Sequence, residues 1–282
     1  MIKSFFDGML YKRDSEELGI QIESLYKSEF GPGNLPSKRK ENRVYGVVVP
    51  YSQYDYSGAA MAWAYKILAE SYFPETYVIL VPDTKGAFVN YVTVFDDFET
   101  PFGVCKVDLE FARNLIDLGL VSFTSELNEF TLEVQLPFLM HSCKDRISDL
   151  KILPIIVPNL HNYDKLVEEI LKLKKDIVVI VASEMSPYGL KYMYLPFMEN
   201  VEENISKQDM VLMKNMINFE YEIYLKFIQK NRIPILGKNC VVLGLELIKS
   251  LGSSSGELMC YYRSSQVNND DNNSVGFGVV VY

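Results

Sequence analysis

The stretch that most restricts how this chain can fold is residues 47–71, VVVPYSQYDYSGAAMAWAYKILAES. Val47, Val48 and Val49 are apolar without alternation, which suits a strand covered on both faces, and such strands belong to parallel or mixed sheets flanked by helices. Pro50 cannot donate to a ladder, so pairing is expected to stop there. Ser57 offers an N-cap oxygen. Gly58 is then expected to start a helix in which Ala59, Ala60, Met61, Ala62 and Ala64 are small or strong helix formers and Trp63, Ile67 and Leu68 can pack. The intervening polar loop, residues 51–56, lies at the carboxyl end of a strand and beside a helix N-terminus, where open α/β sheets place ligands.

The same signature recurs along the chain. Residues 77–81 (YVILV), 150–157 (LKILPIIV) and 177–182 (IVVIVA) read as buried strands, and residues 90–95 (NYVTVF) as another. Residues 15–28, 163–174, 206–230 and 237–251 carry helical spacing, and LEFARNLIDL is a further helix with Asp108 as its cap and Gly119 at its end. Residues 132–139 (LEVQLPFL) read as a short helix entered or kinked at Pro137. Residues 257–263 and 274–282 look like paired strands separated by the polar loop QVNNDDNN, read as solvated rather than as a cation site. Strands alternating with helices, no internal repeat and no long linker predict a single α/β domain spanning residues 1–282, an αβα sandwich around a mostly parallel or mixed sheet.

Composition narrows the function classes. The 48% apolar content supports a sizeable core, and 28 Lys+Arg against 37 Asp+Glu give a formal charge of −9. That balance is a poor footprint for nucleic acid or an anionic membrane, which require clustered cations. The basic run at residues 37–43, SKRKENR, reads as a solvated connection. No apolar stretch approaches the ~20 residues that span a bilayer. The opening MIKSFFDGMLYKRD lacks the apolar region of a signal peptide, so a cytoplasmic protein is expected. Cys105, Cys143, Cys240 and Cys260 are widely spaced, without the C-x-x-C of a zinc ribbon, and are expected to be mostly buried thiols.

Several stretches together, in order and over nearly the whole chain, resemble the Memo family, also found as protein B of the AmmeMemoRadiSam system. They are FFDGMLYKRDSEEL, VVVPYSQYDYSG, ETPFGVCKVD, LEVQLPFL, LKILPIIV, VVIVASEMSPYG, the region of Cys240 and SVGFGVVVY. The resemblance implies a fold related to class III non-haem iron dioxygenases, with a metal pocket where strand-end loops converge. It also implies that this chain departs from the family pattern at the ligands. The position after Pro50 is a histidine in the family and Tyr51 here; the P-N-H or P-S-H loop is Pro82, Asp83, Thr84. The R-E-H segment is Asn128, Glu129, Phe130, and the S-D-L-S-H-Y loop is Ser183, Glu184, Met185, Ser186, Pro187, Tyr188. Cys240 is retained.

The inferred pocket residues are therefore Tyr51, Asp83, Thr84, Phe130, Glu184, Pro187 and Cys240. Iron, copper or zinc sites draw most ligands from imidazole or thiolate. The two histidines, His141 and His161, fall at none of the ligand positions. The expectation is a Memo-like protein without the family's metal centre and without catalytic residues, which binds a small molecule or a protein partner in or around the old pocket. Two alternatives stand beside it. One is a metal-dependent oxidoreductase using Glu184 and Cys240 on iron, copper or zinc; the other is a thiol enzyme using Cys240, placed near a helix N-terminus and Lys238.

Overall fold

In the computed structural model, which describes residues 1–125, 127–159 and 163–282, the apolar runs become strands of one mixed sheet. In chain order the strands are β1 (Gly46–Val49), β2 (Thr76–Pro82), β3 (Val92–Thr93), β4 (Phe98–Thr100), β5 (Gly103–Val107) and β6 (Ser122–Phe123). They continue with β7 (Lys151–Val157), β8 (Ile177–Ala182), β9 (Pro187–Gly189), β10 (Glu257–Arg263) and β11 (Asn273–Val281). Their main path is β10-β11-β1-β8-β2-β7-β3-β6. At its centre β1, β8, β2 and β7 are parallel, while β11 and β10 extend one side antiparallel and β3 lies antiparallel on β7.

The helices are α1 (Ser15–Lys27), α2 (Tyr54–Glu70), α3 (Leu109–Asp117), α4 (Phe130–Glu133), α5 (Gln135–Ser142), α6 (Asp164–Lys172), α7 (Val201–Ile217), α8 (Tyr221–Asn231), α9 (Lys238–Ser250) and α10 (Ser265–Asn268). Strand side chains alternate between two apolar layers. Val47, Val49, Ile79, Val81, Ile152 and Ile180 meet α1, α2, α4 and α5 on one face. Val48, Val78, Leu80, Leu153, Val179 and Val181 meet α3 and α6 through α9 on the other. This is the αβα sandwich that unalternating strands require, since each successive side chain points to an opposite face and both faces are dry. Gly244 lets α9 settle on β8, because a Cβ there would come within 2.3 Å of a Val181 methyl.

Several local expectations are corrected. α2 starts at Tyr54, four residues before Gly58. The Tyr54 N–H donates to the Leu10 carbonyl and its hydroxyl to the Val134 carbonyl, so tertiary bonds replace an N-cap side chain. Ser57 donates its hydroxyl back to the Ser52 carbonyl from inside the helix. Gly58 instead marks close packing, since a Cβ would meet Leu25 of α1 at 2.5 Å. The helix expected over residues 206–230 is two, α7 and α8, broken where Phe219 takes a left-handed φ of 57° and tucks against Tyr282. The strand expected over residues 90–95 shrinks to Val92–Thr93. The polar loop between β10 and β11 contains the single turn α10. Asp108 does cap α3, accepting the Phe111 N–H, and Gly119 takes a positive φ of 68°. Among the described residues no helix is long and apolar enough to cross a membrane.

A buried ion pair ties the antiparallel side to α7. Arg263 of β10 donates to the Asp209 carboxylate at 2.8 Å with both side chains essentially unexposed. Asp209 also accepts the Ser186 N–H and the Tyr261 hydroxyl, and Arg263 donates to the Ser186 carbonyl. Removing one partner strands a charge without solvent, which costs about 3–5 kcal/mol. Arg263→Ala is therefore expected to lower unfolding stability by that amount in denaturant titrations. The Arg263→Met, Asp209→Leu pair is expected to lose less than Arg263→Ala alone, because no charge is left uncompensated.

Candidate functional site

The carboxyl ends of the four parallel strands release the loops that carry the candidate residues. β1 ends at Val49, paired with Ala182, and Pro50 follows outside the ladder. The Pro50 carbonyl accepts from Gln135 Nε2 at 3.0 Å, while Gln135 Oε1 accepts the Tyr65 hydroxyl. The two polar residues of LEVQLPFL are thus internal fasteners. Glu133, the other one, accepts from Ser4 Oγ, the Phe5 and Phe6 N–H groups and the Tyr11 hydroxyl. It holds the N-terminal segment over the strand ends.

Tyr51, Phe130, Glu184 and Pro187 converge on one cleft of about 220 Å³, walled on its far side by Tyr192, Ile235 and Leu236. The Tyr51 and Phe130 rings meet edge to face, 5.9 Å between centroids, and Phe6 stacks edgewise behind Phe130 at 6.0 Å. Two of the positions where the resemblance leads one to expect imidazoles are therefore filled by aromatic rings packed on each other. Glu184 follows β8 and is 9% exposed. The Tyr51 N–H points at its Oε1 at 3.4 Å. Burial pushes its carboxyl up to about 7, partly opposed by hydrogen bonds from the Ser52 side chain and the Tyr51 and Ser52 backbone. Burial likewise drives the Tyr51 hydroxyl well above the ordinary phenol range, with the Glu184 charge adding to it. This phenol stays protonated at any physiological pH.

Asp83, Thr84 and Cys240 are not brought into that cleft. Thr84 donates its hydroxyl and its N–H to the Glu129 carboxylate, 2.8 Å at the shortest. Asp83 faces a second, larger cleft of about 800 Å³ beside Glu129 and the N-terminal segment. Glu129 lines the larger cleft and Phe130, the next residue in the chain, lines the smaller. Cys240 is the third residue of α9, with 0% exposure, in the apolar layer behind the loops. Burial pushes its thiol well above the usual range and the Glu129 charge pushes the same way. A helix N-terminus activates a thiol only where the thiolate is solvated or paired. Sequence reasoning missed Tyr192, Ile235 and Leu236 as cleft walls, and Glu129 as the partner of Thr84. The apolar runs LKYMYLPFM at residues 190–198 and PIL at residues 234–236 were the available signal for the walls.

The residues at the four expected imidazole positions do not fit as ligands of a first-row transition metal, which leaves Glu184 and Cys240 as the donors of the notional set. Tyr51 offers a protonated phenol, Thr84 a hydroxyl already donating to Glu129, Phe130 a hydrocarbon ring and Pro187 no donor atom. Among the described residues no three His, Cys, Asp or Glu side chains gather as a metal site. His141 lies on α5 between the rings of Tyr26 and Phe102, where burial lowers its imidazole to about 4. His161 lies outside the described residues.

Comparison with known proteins agrees with the residues that carried the resemblance. The family model described as Memo-like protein matches residues 4–281. A MEMO1 family protein of Methanobrevibacter smithii is 32% identical over 98% of this chain and 97% of its own length. One from Methanococcus maripaludis is 30% identical over 96% of this chain and 95% of its own length, and one from Nitrosopumilus maritimus 28% identical over 98% and 97%. With a family model covering nearly every residue and relatives that align from end to end, the chain belongs to the Memo family.

Proposed function

We propose that this Memo-family chain is a binding protein that takes a small ligand, or a side chain of a protein partner, into the cleft of Tyr51, Phe130, Glu184 and Pro187. The observation that carries the reading is Glu184, a buried carboxyl held near neutrality at the edge of a largely apolar cleft. Such a group donates a hydrogen bond while protonated and accepts one, or pairs with a cation, once ionised. The aromatic wall supplies contact area and the single polar group supplies orientation, the usual division of labour in a ligand cleft. The proposal keeps the chain in the cytoplasm, and the formal charge of −9 supports a partner that is neither nucleic acid nor an anionic membrane.

The donor set favours this reading over a metal-dependent oxidoreductase, and the deep burial of Cys240 favours it over a thiol enzyme. Incubation with Fe(II), Cu(II) or Zn(II) followed by desalting is expected to leave no stoichiometric metal by elemental analysis. One tightly held equivalent that disappears in both Cys240→Ala and Glu184→Gln would return the chain to the oxidoreductases.

Glu184 also sets a pH dependence with a definite sign. The folded chain keeps this proton up to about pH 7, whereas an unfolded glutamate loses it near 4.5. Between those values the folded state binds more protons, so stability falls as pH rises through the window, by up to about 3 kcal/mol. Glu184→Gln keeps an acceptor for the Tyr51 N–H but does not titrate. The variant is expected to flatten the stability curve between pH 4.5 and 7 and to exceed the parent chain above pH 7, measured by urea unfolding across pH. Parallel curves for the two proteins would rule out a buried, neutral Glu184.

A further inference from the structure

A third cleft, of about 530 Å³, lies between the end of α8, the start of α9 and Asn159 in the loop after β7. That volume is in the range of small-molecule sites. Leu225, Ile228 and Ile233 give it apolar walls, and Arg232 and Lys238 line it as cations. No aspartate or glutamate lines it among the described residues, in a chain whose formal charge is −9. A concave surface of one sign over low-dielectric walls focuses its field into the opening, so this cleft attracts anions against the charge of the whole.

The backbone sets the two cations at opposite ends of one short connection. α8 closes at Arg232, which takes a left-handed φ of 52° and donates its N–H to the Ile228 and Gln229 carbonyls. The Ile233 N–H also returns to the Ile228 carbonyl, and α9 starts at Lys238. Asn239, next to it, donates to the Pro158 carbonyl at 3.2 Å and to Asn159 Oδ1 at 3.0 Å, which ties the loop after β7 to the start of α9. Arg232 is exposed and Lys238 half-buried, so both are accessible from the opening they line. Among the described residues neither side chain has a hydrogen-bond or ion-pair partner, whereas Lys226 on α8 pairs with Glu222. Two free cations on different elements, with apolar lining between them, ask for two negative groups joined by hydrocarbon.

We propose that this cleft binds a short aliphatic dicarboxylate, one carboxylate on Arg232 and the other on Lys238, with the methylene spacer against Leu225, Ile228 and Ile233. The planar guanidinium matches both oxygens of one carboxylate, and the ammonium meets the second as a point charge with three donors. A monocarboxylate of the same length compensates one cation, and a diol neither. The site shares no lining residue with the Glu184 cleft and does not depend on what that cleft binds.

The test titrates the full chain with succinate, glutarate and adipate, using butyrate, 1,5-pentanediol and butyl phosphate as controls, and reads binding by calorimetry and chemical-shift perturbation. The best dicarboxylate is expected to bind one to one, at least about tenfold tighter than butyrate, the size of one charge-assisted hydrogen bond. Its affinity is expected to fall as salt is added. Arg232→Asn keeps a residue that tolerates the left-handed backbone, and Lys238→Gln keeps a polar side chain. In each variant the dicarboxylate is expected to lose about tenfold and to bind no better than butyrate, because one cation can use only one carboxylate. Lys230→Gln, an exposed cation of α8 outside the lining, is expected to change nothing. Equal affinity for dicarboxylate and butyrate overturns the proposal, as does no saturation up to about 10 mM, the range of weak fragments. An equal loss in Lys230→Gln would reduce the effect to general surface charge, and tighter binding of butyl phosphate would assign the cleft to a single anionic centre; either result also overturns it.

Discussion

Four parallel strands with no solvent-facing side are the constraint from which the rest of this molecule follows. Once β1, β8, β2 and β7 bury side chains on both faces, every polar group they carry must be satisfied along the ladder or at its ends. The ladders account for the strand interiors, and the ends are where the chain changes direction. Pro50, Asp83, Asn159 and Ser183 are the residues at or just beyond those carboxyl ends. The Asp83 and Ser183 N–H groups still donate to the Val157 and Val49 carbonyls of neighbouring strands. Helix side chains hold the other two: Gln135 of α5 donates to the Pro50 carbonyl and Asn239 of α9 to Asn159 Oδ1.

Those fasteners decide how rigid the site is. Gln135 fixes the Pro50 carbonyl one residue before Tyr51, and Glu133 gathers four donors from the N-terminal segment. On the other side Asp209 and Arg263 grip both the N–H and the carbonyl of Ser186, two residues beyond Glu184 and one before Pro187. Buried charges used in this way are weak evidence for stability, since apolar side chains of the same size would often serve as well. They do restrict the loop to one conformation. The same loop is paired through β9 to β11, so Glu184 sits between two anchored points rather than on a free connection.

The layers of the fold were legible in the sequence because unalternating strands and helical spacing are local signals. The strands from Tyr77, Leu150 and Ile177 fall where the apolar runs lie, and the helix capped by Asp108 ends where Gly119 takes its positive φ. What local patterning could not show were the elements set by distant partners. The α2 start at Tyr54 depends on Leu10 and Val134, and the break at Phe219 depends on Tyr282. The candidate site was legible to a similar depth. Tyr51, Phe130, Glu184 and Pro187 converge, yet Asp83, Thr84 and Cys240 do not join them, because whether a strand-end side chain turns left or right is decided by its neighbours. Thr84 turns toward Glu129, and Cys240 turns into the apolar layer behind.

The aromatic pair of Tyr51 and Phe130 occupies two positions where the resemblance leads one to expect imidazoles. An imidazole at either position would demand a hydrogen-bond partner or an ion for its ring nitrogens. A phenol and a phenyl ring meeting edge to face demand mainly each other, and such a contact contributes about 0.5–1.5 kcal/mol beyond the area it buries. With Tyr51 and Phe130 in contact and Phe6 behind them, the loop cluster is packed where the rings meet. Each cleft keeps one distinctive acid. Glu184 is driven toward neutrality by burial in the smaller cleft, while Asp83 in the larger one retains an oxygen that nothing in the described chain occupies.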